Sequence, residues 1–368
     1  MENFNYTFLA VRGIQNGRDF YQATVPFRAL ASMLKLDDCL DVNERSQRII
    51  NKPRARKVAE YISSNQDGFY VIPPLVGFID GDFSFDEITI EGEMSFVGKM
   101  QVPMERKIVL FDGQHRAYGI RELMKMNQEN AHQMVSIMFF NEMSLAQRQQ
   151  AFHDINFTQK TPAAALCIAY NGRSEFDSMI VDVFSESILR AHIEYEKNSV
   201  SGDNPHIYSL KAVKDFTVNL IGKNSTNESK AFLADTVHTL FDTIKILNHV
   251  EQCEDIKQFR RDSILGHAVT LKALALFSKT MLHQYSVDWT TKFGRLKRPA
   301  YFDRTSEVWL NRCVDINGKM ISNQNAVMLT FIQMLKDVKC PFPPELQAIE
   351  DNFNQQFLEK SDEIKVAV

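Results

Sequence analysis

The tightest constraint on the fold lies between Lys107 and Met124. Lys107-Ile-Val-Leu-Phe111 is a short, almost wholly apolar run, which is how a strand buried on both faces reads. Asp112-Gly-Gln-His-Arg116 follows at once, and then Ala117, Ile120, Leu123 and Met124 recur at helical steps. The spacing predicts a buried strand, a tight turn and a helix that begins at or just after Gly113.

That arrangement has a chemical use. The first turn of a helix presents amide hydrogens and the positive end of the macrodipole, and Gly113 lets an anion approach the backbone closely. His115 and Arg116 fall in this first turn, where a guanidinium can fork onto two phosphate oxygens and an imidazole can donate a further hydrogen bond. Asp112 can cap the turn, hold a phosphate-bound metal, or act as a base; capping is the favoured reading.

The remaining sequence sets the context. A chain of 368 residues with 44% hydrophobic and 24% charged residues is expected to fold into about two globular domains. No apolar run is long enough to span a bilayer and the N-terminus lacks signal-peptide character, so the expected location is the cytoplasm, with no membrane partner. The five cysteines are far apart and in no CxxC pair, which argues against a disulfide framework or a cysteine-rich zinc site. The net charge of −4 gives no global attraction to nucleic acid, so any polyanion must be held by a local patch.

The patterning changes along the chain. Up to about Thr161 short strands and helices alternate, with strands expected at Tyr6 to Arg12, Phe20 to Val25, Tyr70 to Ile79 and Met134 to Phe140, and helices at Phe27 to Leu36 and Pro53 to Ser63. Prolines 73 and 74 interrupt the third of these strands, and the acidic Asp80 to Glu93 stretch reads as an exposed edge hairpin. Ser144 and Gln147 form a capping box that opens a helix through Leu145, Phe152 and Ile155. Asn156 to Thr161 then follows as a polar segment able to close over the turn's ligand through Asn156, Lys160 and Thr161, or else as an ordinary Asn cap with a solvated lysine. Beyond about Ala163 nearly everything reads helical. Ser225 with Glu228 caps one helix bearing Leu233, Val237, Leu240, Ile244 and Leu247, Asp262 caps a second, and Ser322 to Lys336 is a third. The expected fold is α+β, with one domain over 1–165 and a mostly α-helical one over 166–368.

Two basic clusters stand out. Arg45, Arg48, Lys52, Arg54, Arg56 and Lys57 have no acidic residue among them, although Glu60, four residues after Arg56, is placed to neutralise part of the charge. Such density suits several DNA phosphates, and a solvated helix face is the alternative. Lys292 to Arg298, with Tyr301 and Arg304, mixes basic and aromatic residues as a nucleic-acid surface would, or is a loop packed on the helical domain. No Walker, GxGxxG, HExxH or GxSxG motif is present, and the scattered histidines suggest no metal site.

Asp112-Gly-Gln-His-Arg116 resembles the signature of the DGQHR-domain family, the group of the DNA sulfur modification protein DndB. Phe152-His-Asp-Ile-Asn156 with Lys160 resembles the second motif of that group, and Arg48 with Lys52 to Ile62 resembles its Arg-rich helix. The family is similar in plan to the ParB and sulfiredoxin superfamily, whose Gly-x-His/Arg-Arg turn holds nucleotide phosphates; Gly113-Gln-His-Arg116 matches it position by position. Gln114 stands where sulfiredoxins carry a reactive cysteine, so thiol chemistry is not expected.

The resemblance implies a ParB-like N-terminal domain and a transcriptional regulator of a DNA phosphorothioate modification system. Its partners would be double-stranded DNA, other DNA sulfur modification proteins and a second copy of the chain. Phosphates would meet Gly113, His115, Arg116, Asn156, Lys160 and Thr161, and DNA the Arg45 to Lys57 patch. No cofactor is required in this reading. The alternative is a restriction or defence enzyme that binds or hydrolyses ATP, GTP or CTP, or nicks DNA, with Asp112, Gln114, His115 and Arg116 catalytic and Mg held through Asp112. A third possibility is a scaffold in which the motif serves only the fold.

Overall fold

The computed structural model describes residues 4–35, 50–66, 68–88, 96–141, 143–158 and 161–366; at 156–158 and 356–366 it describes the backbone alone. Cys39, Arg45, Arg48 and Lys160 lie outside the described residues. The chain is α+β and divides into two compact units, 1–160 and 161–368.

The first unit opens with a hairpin of β1 (Asn5–Gln15) and β2 (Arg18–Pro26). Asn16 and Gly17 both have positive φ, 48° and 73°, the backbone that an Asn-Gly hairpin turn demands. Then come α1 (Phe27–Met33), β3 (Leu34–Lys35), α2 (Lys52–Ser63), β4 (Leu75–Asp80), β5 (Ser84–Glu87), β6 (Val97–Pro103) and β7 (Lys107–Asp112). The unit finishes with α3 (Gln114–Met126), β8 (Met134–Phe140) and α4 (Leu145–Thr158). The strands form one eight-stranded mixed sheet in the order β3-β7-β4-β8-β2-β1-β6-β5. β4 runs antiparallel to β7 and parallel to β8, so the strand leading into the turn lies inside the sheet.

Alternation along β7 sorts its side chains onto two cores. Ile108 and Leu110 join the larger one, beneath Phe27 and Leu30 of α1, Ala59 and Ile62 of α2, and Ala117, Ile120 and Leu123 of α3. Val109 and Phe111 join Phe78 on the opposite face, where Ala151, Phe152 and Ile155 of α4 cover them. All four residues are at most 5% exposed, as a doubly covered strand requires.

Pro73 and Pro74 stand just outside β4 rather than within it, which removes the conflict between proline and a ladder. The acidic stretch supplies β5, the edge strand, paired antiparallel with β6, and its residues 89–93 lie outside the described segments. Phe83 and Phe85 pack on Tyr21 at 5.1 and 5.0 Å, so the aromatic residues of this edge are anchored. The Ser144 box forms in both directions: Ser144 N–H donates to Gln147 Oε1 (3.0 Å) and Gln147 N–H to Ser144 Oγ (3.3 Å).

The second unit is helical: α5 (Ala164–Tyr170), α6 (Glu175–Glu186), α7 (Leu210–Ile221), α8 (Asn227–Thr243), α9 (Ile246–Glu251), α10 (Ile256–Asp262), α11 (Ala268–Tyr285), α12 (Gln324–Asp337) and α13 (Pro344–Val366). Two expected caps move and one expected helix start shifts. Thr226, not Ser225, accepts the Ser229 N–H that starts α8. Asp262 ends α10, Ser263 caps the short turn that follows, and α11 starts after His267. The helix expected from Ser322 starts at Gln324, with Asn323 as its cap. In each case a neighbouring short polar side chain has the extended backbone that a cap needs. Leu233, Val237, Leu240 and Ile244 are fully buried, while Leu247 falls on α9, beyond a break at Lys245 with φ 54°.

The Lys292 to Arg304 cluster follows the second of its two readings in that its aromatic residues pack on the helical core, while Lys292, Lys297 and Arg298 stay exposed. Phe293 and Tyr301 are core residues, and Arg295 and the Tyr301 hydroxyl both engage Asp337. Among the described residues no helix is long and apolar enough to cross a membrane.

α13 is tied to this core by a buried ion pair. Arg312 donates to both oxygens of Glu350 at 2.7 Å, and Lys336 adds a third contact. Burial alone would push the Glu350 carboxyl up, but the hydrogen bonds from Arg312 and Lys336 carry it below its ordinary 4.5. A carboxylate with a lowered folded-state pKa stabilises above its unfolded value and loses that stability as pH falls through the folded one. Glu350→Ala, which leaves Arg312 buried without its counter-charge, is expected to cost about 3–5 kcal/mol in urea unfolding at pH 7. The loss should shrink as the pH is taken below 4.5, and a pH-independent loss would refute the ion pair as its cause.

Candidate functional site

β7 reaches Asp112, and the chain then turns into α3 through Gly113, whose φ of 85° and ψ of 11° are left-handed. A side chain here would meet both that backbone preference and Leu75, whose Cδ2 lies 2.4 Å from an ideal Cβ. Ala117 N–H makes the first helical bond back to Gly113 O at 2.9 Å, so the amides of 114–116 face out of the helix end.

The side chains of the turn do three different things. Asp112 does not cap α3. Its Oδ2 accepts from Arg116 Nη2 at 2.6 Å, a pairing in which both side chains stay about a quarter exposed (24% and 22%). Arg116 Nη1 also donates to the Pro73 carbonyl at 3.1 Å, which fixes the guanidinium across the mouth of the turn. Gln114 is buried. His115 Nε2 accepts the backbone N–H of Asn51 at 3.0 Å, and the Asn51 side chain in turn accepts Arg54 N–H at 2.9 Å as the cap of α2.

Through these contacts α2 reaches the turn. A pocket of about 530 Å³ is lined by Arg54 and Val58 of α2, by Pro73 and Pro74, by Phe111 and the whole Asp112 to Arg116 turn, and by Phe152 of α4. Its charged residues are Arg54, Arg116 and Asp112. Lys52, Arg56 and Lys57 continue the cationic surface along the exposed side of α2, away from buried Ala55, Ala59 and Ile62. Arg56 and Glu60 do not pair, so the expected local neutralisation is absent and no cation of α2 is in an ion pair among the described residues.

The other expected phosphate contacts are placed differently. Asn156 lies within the last turn of α4 and not after it, because the helix runs to Thr158. Thr161 is exposed and is the first residue of the second unit. Among the described residues no cluster of three or more His, Cys, Asp or Glu is arranged to hold a metal. Sequence reasoning missed Asn51, the Pro73 carbonyl and Val58. Asn51 carried a usable signal, an N-cap residue two places before Pro53; the other two become visible only when β4 and α2 are placed beside α3.

α2 can lie this close to α3 because of Gly119. An ideal Cβ there would sit 2.6 Å from the Ala55 carbonyl oxygen and 2.8 Å from Val58 Cβ. Backbone oxygen cannot rotate away, so Gly119→Ala must push α2 outward. The expected cost is about 1–3 kcal/mol in chemical denaturation, with faster amide exchange in residues 51–58; an unchanged midpoint and exchange pattern would contradict this packing.

The family model for DndB, described as DNA-sulfur modification-associated, matches residues 8–341, which takes in both units. No curated protein and no solved structure matches the chain.

Proposed function

The chain belongs to the DndB family of DNA-sulfur modification-associated proteins, and on that premise we propose that it is a DNA-binding transcriptional regulator of such a system. One observation carries the reading: Arg54, from the basic helix, and the Asp112 to Arg116 turn, far away in the sequence, line one pocket. Backbone phosphates meet Arg54 and Arg116 at the pocket and Lys52, Arg56 and Lys57 along α2, with Arg45 and Arg48 extending the patch. Gly113 gives the phosphate access to the amides of the α3 first turn. Asn156, Lys160 and Thr161 are further phosphate-contact residues in this reading.

The Asp112 carboxylate gives the site a second property. An arriving phosphate must compete with Asp112 for Arg116, so the ion pair sets a threshold that weak anions do not pass. A ParB-like plan for the first unit belongs to the same proposal and is supported by the match of Gly113-Gln-His-Arg116 to that turn. Double-stranded DNA is the principal partner, other DNA sulfur modification proteins and a second copy of the chain are the further ones, and the cytoplasm is the place of action.

A nucleotide-binding reading draws on a different observation: the pocket's volume of about 530 Å³ lies in the range of small-molecule sites. In that reading ATP, GTP or CTP enters with Mg held by Asp112, and Gln114, His115 and Arg116 act on the phosphates. Titration of each nucleotide with magnesium in a calorimeter separates the two: heat and phosphate release select the enzyme, and their absence together with duplex binding selects the regulator.

Electrophoretic shifts on modified and unmodified duplexes from the chain's own promoter region test the principal reading. Arg116→Ala is expected to weaken binding about ten- to a hundredfold, as loss of a charged hydrogen bond does. Arg54→Ala should lower the slope of log affinity against log salt by about one. Asp112→Asn should tighten binding about two- to fivefold by freeing Arg116. Wild-type affinity and salt slope in both arginine variants would overturn the proposal.

A further inference from the structure

The motif invites the assumption that every polar side chain in it points at the ligand, and His115 does not fit. Its Nε2 accepts a hydrogen bond from the Asn51 backbone at 3.0 Å. A ring nitrogen that accepts carries no proton, so in the neutral imidazole the proton is on Nδ1. The same Nε2 cannot donate to a phosphate while this bond stands.

What the bond reaches is the first residue of the basic helix. Asn51 caps α2 by taking Arg54 N–H onto its side chain, while its own backbone N–H goes to His115. α2 is thus held at two places against α3: along its middle by the close approach at Gly119, and at its N-terminus by His115. The middle contact is a close approach to the α2 backbone and Val58, and it sets distance. The terminal one is directional and sets where the first turn of α2, with Arg54, stands relative to Arg116.

We infer that His115 is a positioning residue: by accepting the Asn51 N–H it registers the start of α2 on the DGQHR turn, so that Arg54 and Arg116 act on the same anion. This rests on the DNA-binding reading of the pocket and gives His115 a different task within it from direct phosphate contact. The arginines supply the charge, and His115 supplies the spacing between them.

Three substitutions in the full-length chain separate these roles. His115→Gln places an amide oxygen about where imidazole Nε2 stands and keeps the acceptor. His115→Lys supplies a cation and donors but no acceptor, and His115→Leu supplies neither. Two quantities are read, both well below the thermal midpoint of each variant: amide exchange across residues 50–56, which needs no DNA, and affinity for the duplex.

If His115 positions α2, the Leu and Lys variants exchange faster in that segment and bind DNA about five- to tenfold more weakly, while the Gln variant stays within about twofold of wild type in both. If His115 contacts phosphate, the order inverts: Lys binds as well as wild type, Gln binds weakly, and exchange at 50–56 does not move. That inverted order, or unchanged exchange in both Leu and Lys variants, overturns the inference. The DNA-binding reading fails separately, through wild-type affinity in Arg116→Ala and Arg54→Ala, and the exchange measurement still decides the role of His115 in that event.

Discussion

The site depends on how the chain leaves β7. β7 is covered on both faces, and the chain turns from it into α3 at Gly113, which has left-handed backbone. That single turn sets the N-terminus of α3 at the open end of the strand, between α2 on one side and α4 on the other. Ile120 and Leu123 hold the helix to the sheet, while Phe152 closes the opposite wall of the pocket. The pocket's position follows from the burial of Ile108 to Phe111.

Charge at the site is arranged in the same economical way. Arg116 is tethered to Asp112 and to the Pro73 carbonyl, so its guanidinium is preorganised rather than free to sample solvent. The tether is also a brake, because the carboxylate occupies one of the donors that an anion would use. Arg54 has no such partner among the described residues. One restrained arginine thus stands beside one that has no ion-pair partner among the described residues.

Membership of the DndB family spans both units, yet the recognisable chemistry is confined to the first. The second unit shows a dense aromatic core and a buried Arg312–Glu350 pair joining α13 to it. In its segment from Lys292 to Arg304 the aromatic Phe293 and Tyr301 are core residues and Asp337 takes Arg295 and the tyrosine hydroxyl, while Lys292, Lys297 and Arg298 stay exposed.

Periodicity alone determined the strand, the turn and the helix from Lys107 to Met126, the strand Met134–Phe140 and the Ser144 box, because each depends on neighbours within one turn or one strand. It also marked α2 as basic, although it began the helix at Pro53 and assumed an Arg56–Glu60 pair that does not form. What only the tertiary structure decided is which partner each polar group takes. Asp112 had a capping role open to it in sequence and takes Arg116; His115 Nε2 takes Asn51 N–H; Ser225 and Asp262 each yielded a cap to a neighbour. The His115 bond joins groups 64 residues apart, and no local pattern of residue types encodes that placement.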